Sequence, residues 1–138
     1  MKALSIRAPW WWAILNSGKD IENPDWSCEI RGRVLLHASK WWDREEIALD
    51  YIGYQKMAQR AGNPLPRPDW IGMKACGGCI VGSVEIVDCV AKSSSPWFMG
   101  KYGFVLRDPT VFEQPRPCKG KLGFFEPVGL SYSDAEGI

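Results

Sequence analysis

The run CIVGSVEIVDCV at Cys79–Val90 constrains this chain more than any other stretch. Its aliphatic and β-branched residues read as one long strand, and Gly82 inside it marks a bend or bulge. Shorter runs of the same character recur at Ala3–Ile6, Asp20–Glu22, Arg33–His37, Tyr102–Leu106 and Lys121–Phe125. Pro109, Pro115 and Pro117 mark the connection between the last two. Two helical stretches interrupt the strands. The first starts at Pro9, whose fixed φ suits a first turn, and stops at Gly18. The second opens at Asp43 with Glu46 three residues on, a capping-box spacing, and carries Ile47, Tyr51, Tyr54, Ala58 and Ala61 on one stripe before Gly62 and Pro64 end it. Strands with inserted helices predict an α+β fold, a small curved sheet or β-barrel of about five to six strands with two or three helices packed round it.

The 138 residues fit a single domain, 1–138, with a real core. No internal repeat, low-complexity tract or linker divides it. No apolar run approaches the roughly 20 residues needed to span a bilayer, and Arg7 and Pro9 interrupt the N-terminus before a signal peptide could form. A cytoplasmic protein with no membrane partner is expected. Five cysteines, an odd number at 28, 76, 79, 89 and 118, predict free thiols. A net charge of +1 excludes the strong overall basic field of an obligate nucleic-acid binder. The basic residues nevertheless cluster towards the two ends. Lys2, Arg7, Lys19, Arg31, Arg33 and Lys40 lie at one, and Lys101, Arg107, Arg116, Lys119 and Lys121 at the other. A fold that joins the two ends would carry a local positive face.

Eight tryptophans are the unusual feature of the composition. Such rings fill cores or stack on nucleobases. On a helical wheel Trp10, Trp11, Ile14 and Leu15 share a core-directed face, while Trp12 points elsewhere and either packs under another segment or lines a cleft.

Lys19 and Glu22 follow this helix. In extended backbone they point to opposite sides of a strand, so they meet only if the chain turns. A desolvated Lys is a base or nucleophile, and a carboxylate beside it orients water or relays a proton. The alternative is a solvated surface pair of little energetic worth. His37, the sole histidine, is either a hydrogen-bonded core group or, with Ser39 and Lys40, part of a phosphate or base-edge contact. No Gly-x-Ser-x-Gly elbow supports a serine hydrolase. Cys76 and Cys79 have knuckle spacing but no second ligand pair, and the glycines between them equally suit a tight turn into the next strand. No metal and no cofactor is expected. Trp97, near Lys101 and Tyr102, is either a base-stacking loop residue or a plug over the core.

The order of these motifs carries a resemblance. LSIRAPWWWAILNSGKDIENPDW followed by RGRVLLHASK resembles the opening of ASCH-domain proteins, small PUA-like β-barrels associated with RNA. SPWFMGKYGFVL and GKLGFF are similar to that family's closing strands. The resemblance implies a cleft between the first helix and the sheet, containing Lys19 and Glu22. It implies an RNA or modified-nucleoside partner, single-stranded nucleic acid included. Ser5, Arg7, Trp26, His37 and Ser39 carry over by position, with Arg31, Arg33 and Lys40 meeting phosphates and Trp26 or Trp97 stacking a base. It further implies hydrolysis of an amide-type bond on a nucleobase, as in N4-acetylcytidine amidohydrolases, with ribonuclease activity second. A non-catalytic nucleic-acid-binding or protein-interaction domain is the alternative. The chain departs from the pattern at Pro24, where Arg is usual, at Ala8, where Gln is usual, and at Trp11, where a small residue is usual.

Overall fold

The computed structural model describes residues 1–27, 29–40, 42–62 and 69–129, and the chain is α+β. Among these residues there are six strands and three helices in the order β1 (Ala3–Ile6), α1 (Trp10–Asn16), β2 (Ile21–Glu22), β3 (Gly32–Ala38), α2 (Arg44–Arg60), α3 (Trp70–Ala75), β4 (Cys79–Val90), β5 (Gly103–Pro117) and β6 (Phe124–Phe125). The strands form one curled, half-barrel sheet in the order β2-β5-β4-β3-β1-β6. β1 and β3 are parallel and every other pair is antiparallel. No helix among the described residues is long and apolar enough to cross a membrane. The proline-rich segment at 63–68, with Cys28 and Trp41, lies outside the described residues, and Cys76, Cys79, Cys89 and Cys118 are free thiols.

Strand alternation divides the core. Leu4 and Ile6 of β1 join Val34, Leu36 and Ala38 of β3 and Trp11 and Ile14 of α1 in one cluster. Ala3 and Leu35 face the other way, into a smaller cluster with Ile80, Phe112, Cys118 and Phe125. Ser5 follows Ala3 in the alternation and His37 follows Leu35, and the two are direct neighbours in register. A third cluster, Ala13, Ile21, Tyr54, Met57, Ala58 and Trp97, fills the space between α1, α2 and the loop before β5.

The second helix begins as its sequence predicts, with the Asp43 carboxylate accepting from the Glu45 and Glu46 amides at 3.1 and 3.0 Å. Gly82 lies between register shifts on both of its partner strands. A Cβ there would stand 2.4 Å from the Thr110 carbonyl, so only glycine allows β4 and β5 to approach this closely.

Two expectations are corrected. The strand expected to end at Leu106 continues to Pro117. β2 covers only Phe104 and Val105 on one side of β5, so beyond them a missing proline N–H costs no bond on that edge. Asp108 and Pro109 are bulged out between Arg107, paired with Glu85, and Thr110, paired with Ser83. Asp108 takes a positive φ of 52° at this bulge, which its short polar side chain tolerates. The wheel reading of α1 is incomplete, since Trp10 and Leu15 do pack on the same core as Trp11 and Ile14 but Trp10 has a second neighbour. Trp11 and Ile14 enter the sheet core, and Trp10 packs on its margin while also touching α2 at Gly53. The wheel assumes one apolar face, whereas α1 is covered by the sheet on one side and by α2 and the Trp97 loop on another.

Candidate functional site

At the end of α1 the chain reverses at Gly18, where φ is +71°. The Lys19 amide then bonds back to the Ala13 carbonyl at 3.2 Å. This reversal turns the Lys19 side chain inward, with only 1 % of it exposed. Its ammonium lies 3.5 Å from a Glu22 carboxylate oxygen and donates to the Ile21 carbonyl. The Trp10 and Trp97 rings flank it with centroids 5.1 and 5.8 Å away. Burial holds the Lys19 pKa below the ordinary lysine value, against the upward pull of Glu22 and of Asp20. An amine displaced towards its neutral form and touching a carboxylate is equipped to exchange protons with a ligand or a water.

The pair opens on a cavity of about 390 Å³ lined by Ser5, Arg7, Trp10, Asp25, Asp50 and Met99 among others. Arg7 is held by Asp50 at 3.2 Å and Glu46 at 3.5 Å, which fixes α2 against the cavity rim. The loop before β5 closes the other side. Asn23 donates to the Trp97 carbonyl and accepts from the Met99 amide, both at 2.9 Å, and Ser95 donates to Asp20 at 2.6 Å. Behind the lysine, Tyr54 stacks on Trp97 and bonds to the Ser17 hydroxyl at 2.7 Å.

A second and larger cleft, of about 1060 Å³, also reaches Ser5. His37, Ser39, Lys40, Lys119 and Lys121 line it, so the two ends of the sequence do meet here. His37 is buried, and its Nε2 lies 2.7 Å from the Cys118 carbonyl. A carbonyl only accepts, so Nε2 carries the proton. Burial lowers the His37 pKa and favours the neutral ring, so Nδ1 is the acceptor for the Ser5 hydroxyl at 3.0 Å. The hydrogen-bonded reading of His37 therefore describes its contacts, and its ring is edge-on to Phe125.

The remaining sequence candidates are dispersed. Trp12 packs under another segment, edge-on to Tyr54 of α2, and does not line the Lys19 cavity, whereas Trp10 does. Trp97 is 1 % exposed and cannot present a face to a base, so the plug reading holds for it. Trp26 is 40 % exposed and rests edge-on against Phe104 and Phe124, outside the lining of either cavity. Arg31 pairs with Asp88 at 3.6 Å. Arg33 bonds to the Ser83 hydroxyl and the Asp108 carbonyl, which spends its guanidinium on the bulged strand. Tyr102 is half-buried and lines neither cavity. Cys76 and Cys79 bracket a turn closed by the Cys79 amide on the Cys76 carbonyl at 3.0 Å, and Gly78 takes a positive φ of 85° there. Burial raises both thiol pKa values, which favours the thiol over the metal-binding thiolate. Among the described residues no group of three His, Cys, Asp or Glu side chains could hold a metal ion.

Sequence reasoning did not place Asp50, Asn23 or Met99 at the lysine. Their approach depends on α2 and the loop before β5, and no local spacing encodes it. The sequence matches no protein-family model and no curated protein in the comparisons made.

Proposed function

We propose that this chain is an ASCH-like protein of PUA-like architecture that binds RNA or a modified nucleoside at Lys19 and Glu22. We further propose that it hydrolyses an amide-type bond on the base. One observation carries this reading: a desolvated lysine, 3.5 Å from a carboxylate, facing an open cavity rather than a closed core. A desolvated titratable group with a specific charge partner beside a cleft is the kind of site at which acid–base chemistry is found. Arg7 lines the same cavity, held by Asp50 and Glu46.

The chemistry follows from the protonation states. The neutral form of Lys19, whose share burial enlarges, takes a proton from a water oriented by Glu22, and the resulting hydroxide attacks the amide carbonyl. The tetrahedral intermediate then expels the base's exocyclic amine, which receives the proton back from the Lys19 ammonium. For N4-acetylcytidine the products are cytidine and acetic acid, which ionises to acetate by releasing its proton to solvent, so atoms and charge balance.

Incubation with N4-acetylcytidine, with cytidine release followed by chromatography, tests the reading for wild type and Lys19→Ala. Turnover by the wild type and a loss of about a hundredfold or more in the variant is expected for a residue that moves the proton. Full activity in a folded Lys19→Ala protein refutes the role of the lysine. No turnover across a panel of acylated nucleosides refutes the hydrolase and leaves binding, which is read separately by titration with the same nucleosides.

A further inference from the structure

The Lys19 cavity and the larger cleft are lined by one common residue, Ser5. Their linings differ in chemistry. The Lys19 cavity mixes Arg7 and Lys19 with Glu22, Asp25 and Asp50. The larger cleft has Lys40, Lys119 and Lys121 and no acidic residue in its lining. All three of these lysines are exposed, and no salt bridge to them occurs among the described residues. Three ammonium groups around one concavity, with no ion-pair partner among the described residues, form a site for polyanions rather than for a neutral solute.

Two glycines let the walls of the cleft pack closely. A Cβ on Gly78 would meet the Lys40 side chain at 2.7 Å, and one on Gly120 would meet the His37 ring at 2.4 Å. At the shared point, the Ser5 hydroxyl gives its proton to Nδ1 of His37. The serine oxygen is thereby left with lone pairs only, an acceptor for a hydroxyl or amino donor on a ligand. Acceptor at the junction and ammonium groups beyond it fit a nucleotide: its sugar or base supplies the donor and its phosphates the charge.

We propose that Lys40, Lys119 and Lys121 hold the phosphates of a single-stranded polynucleotide whose base occupies the Lys19 cavity, so that a strand binds more tightly than a free nucleoside. The proposal rests on the Lys19 cavity accepting a base, as argued above. It extends that reading by choosing between its two ligand classes and by adding Lys119 and Lys121 to the site.

The test compares a short single-stranded RNA with cytidine and cytidine monophosphate, by anisotropy and calorimetry, for wild type, Lys40→Gln/Lys119→Gln/Lys121→Gln and Lys19→Met. The substituted lysines are exposed, and circular dichroism checks that the triple variant is folded. In the wild type, affinity is expected to rise from nucleoside to nucleotide to strand and to fall with salt. The triple variant is expected to lose about tenfold or more of strand affinity at low salt. The slope of log affinity against log salt is expected to flatten by about 2, the amount three phosphate contacts contribute on a single strand. Unchanged strand affinity or slope in the triple variant overturns the proposal. Turnover of N4-acetylcytidine with no strand binding also overturns it, while leaving the Lys19 reading intact. Lysine-dependent strand binding that is indifferent to Lys19→Met overturns the shared-ligand arrangement and, with it, the base in the Lys19 cavity.

Discussion

Lys19 and Glu22 meet at 3.5 Å although they stand three positions apart on a chain that becomes a strand at Ile21. The contact is made by the reversal at Gly18 and by β2 being only two residues long, so Lys19 precedes the strand rather than belonging to it. The pair couples stability to pH. In the unfolded chain Lys19 titrates at the ordinary lysine value, and in the fold it titrates below it. Between those two values the unfolded chain binds the extra proton, so stability rises as pH climbs through that window.

Glu22→Gln removes the larger of the two partners that favour the charged lysine. The variant leaves a buried ammonium uncompensated at pH 7 and is expected to lose about 3 kcal/mol, the scale for breaking a buried pair from one side. Its folded lysine pKa falls further, and near pH 10 the penalty shrinks because the neutral amine needs no partner. Urea denaturation of both proteins at pH 7 and pH 10 measures this. An equal penalty at both values shows that Glu22 acts through packing and not through charge.

Trp97 and Trp26 should separate by experiment as they do in space. Trp97 is buried against Tyr54 and walls the lysine, so Trp97→Ala is expected to cost about 3–5 kcal/mol in chemical denaturation. Trp26→Ala is expected to cost much less, about 1 kcal/mol, because its ring is 40 % exposed and makes edge contacts only. Comparable costs would show that the loop before β5 opens readily and that Trp97 is not held as described.

Much of this was legible in the sequence because it is local. The cap of α2 at Asp43, the irregularity at Gly82 and the α+β alternation each follow from residues within a few positions of one another. The site was legible only as a pair of residue types. That Lys19 and Glu22 converge depends on the backbone at Gly18, and that Trp10 rather than Trp12 walls the cavity depends on α2 crossing behind α1. A helical wheel cannot separate the faces of a seven-residue helix covered on two sides. The length of β5 was hidden by its prolines, which end a central strand but not one with an open edge. α3 went unread because a six-residue helix has too few turns to show a period, although Asp69 caps it through the Gly72 amide at 2.9 Å.

His37 predicts a second pH response, of opposite placement. Its folded pKa lies below the usual histidine value, mainly through burial. The neutral ring's contribution is therefore fully present above about pH 6.5 and is lost as pH falls through the folded pKa. His37→Gln removes two hydrogen bonds and is expected to cost about 1–3 kcal/mol at pH 7.5, with a smaller cost at pH 5 where the wild type is itself weakened. The carboxylates titrate in both proteins and cancel in the difference. A cost that grows on acidification contradicts a neutral His37.

Gly120→Ala tests whether the wall of the larger cleft depends on that histidine. The added methyl would stand 2.4 Å from Cε1 and 2.7 Å from Nδ1 of His37. The ring cannot swing aside cheaply, because Ser5 and the Cys118 carbonyl hold its two nitrogens and Phe125 flanks it. Either the ring leaves its partners or the 118–121 segment moves outward and carries Lys119 and Lys121 with it. An overpacking cost of about 1–3 kcal/mol is expected. Two-dimensional NMR of the imidazole nitrogens should show the loss of the tautomer with the proton on Nε2. A fully stable Gly120→Ala protein with that tautomer intact would mean that the segment yields without strain, and that the position of the lysines is not set by His37.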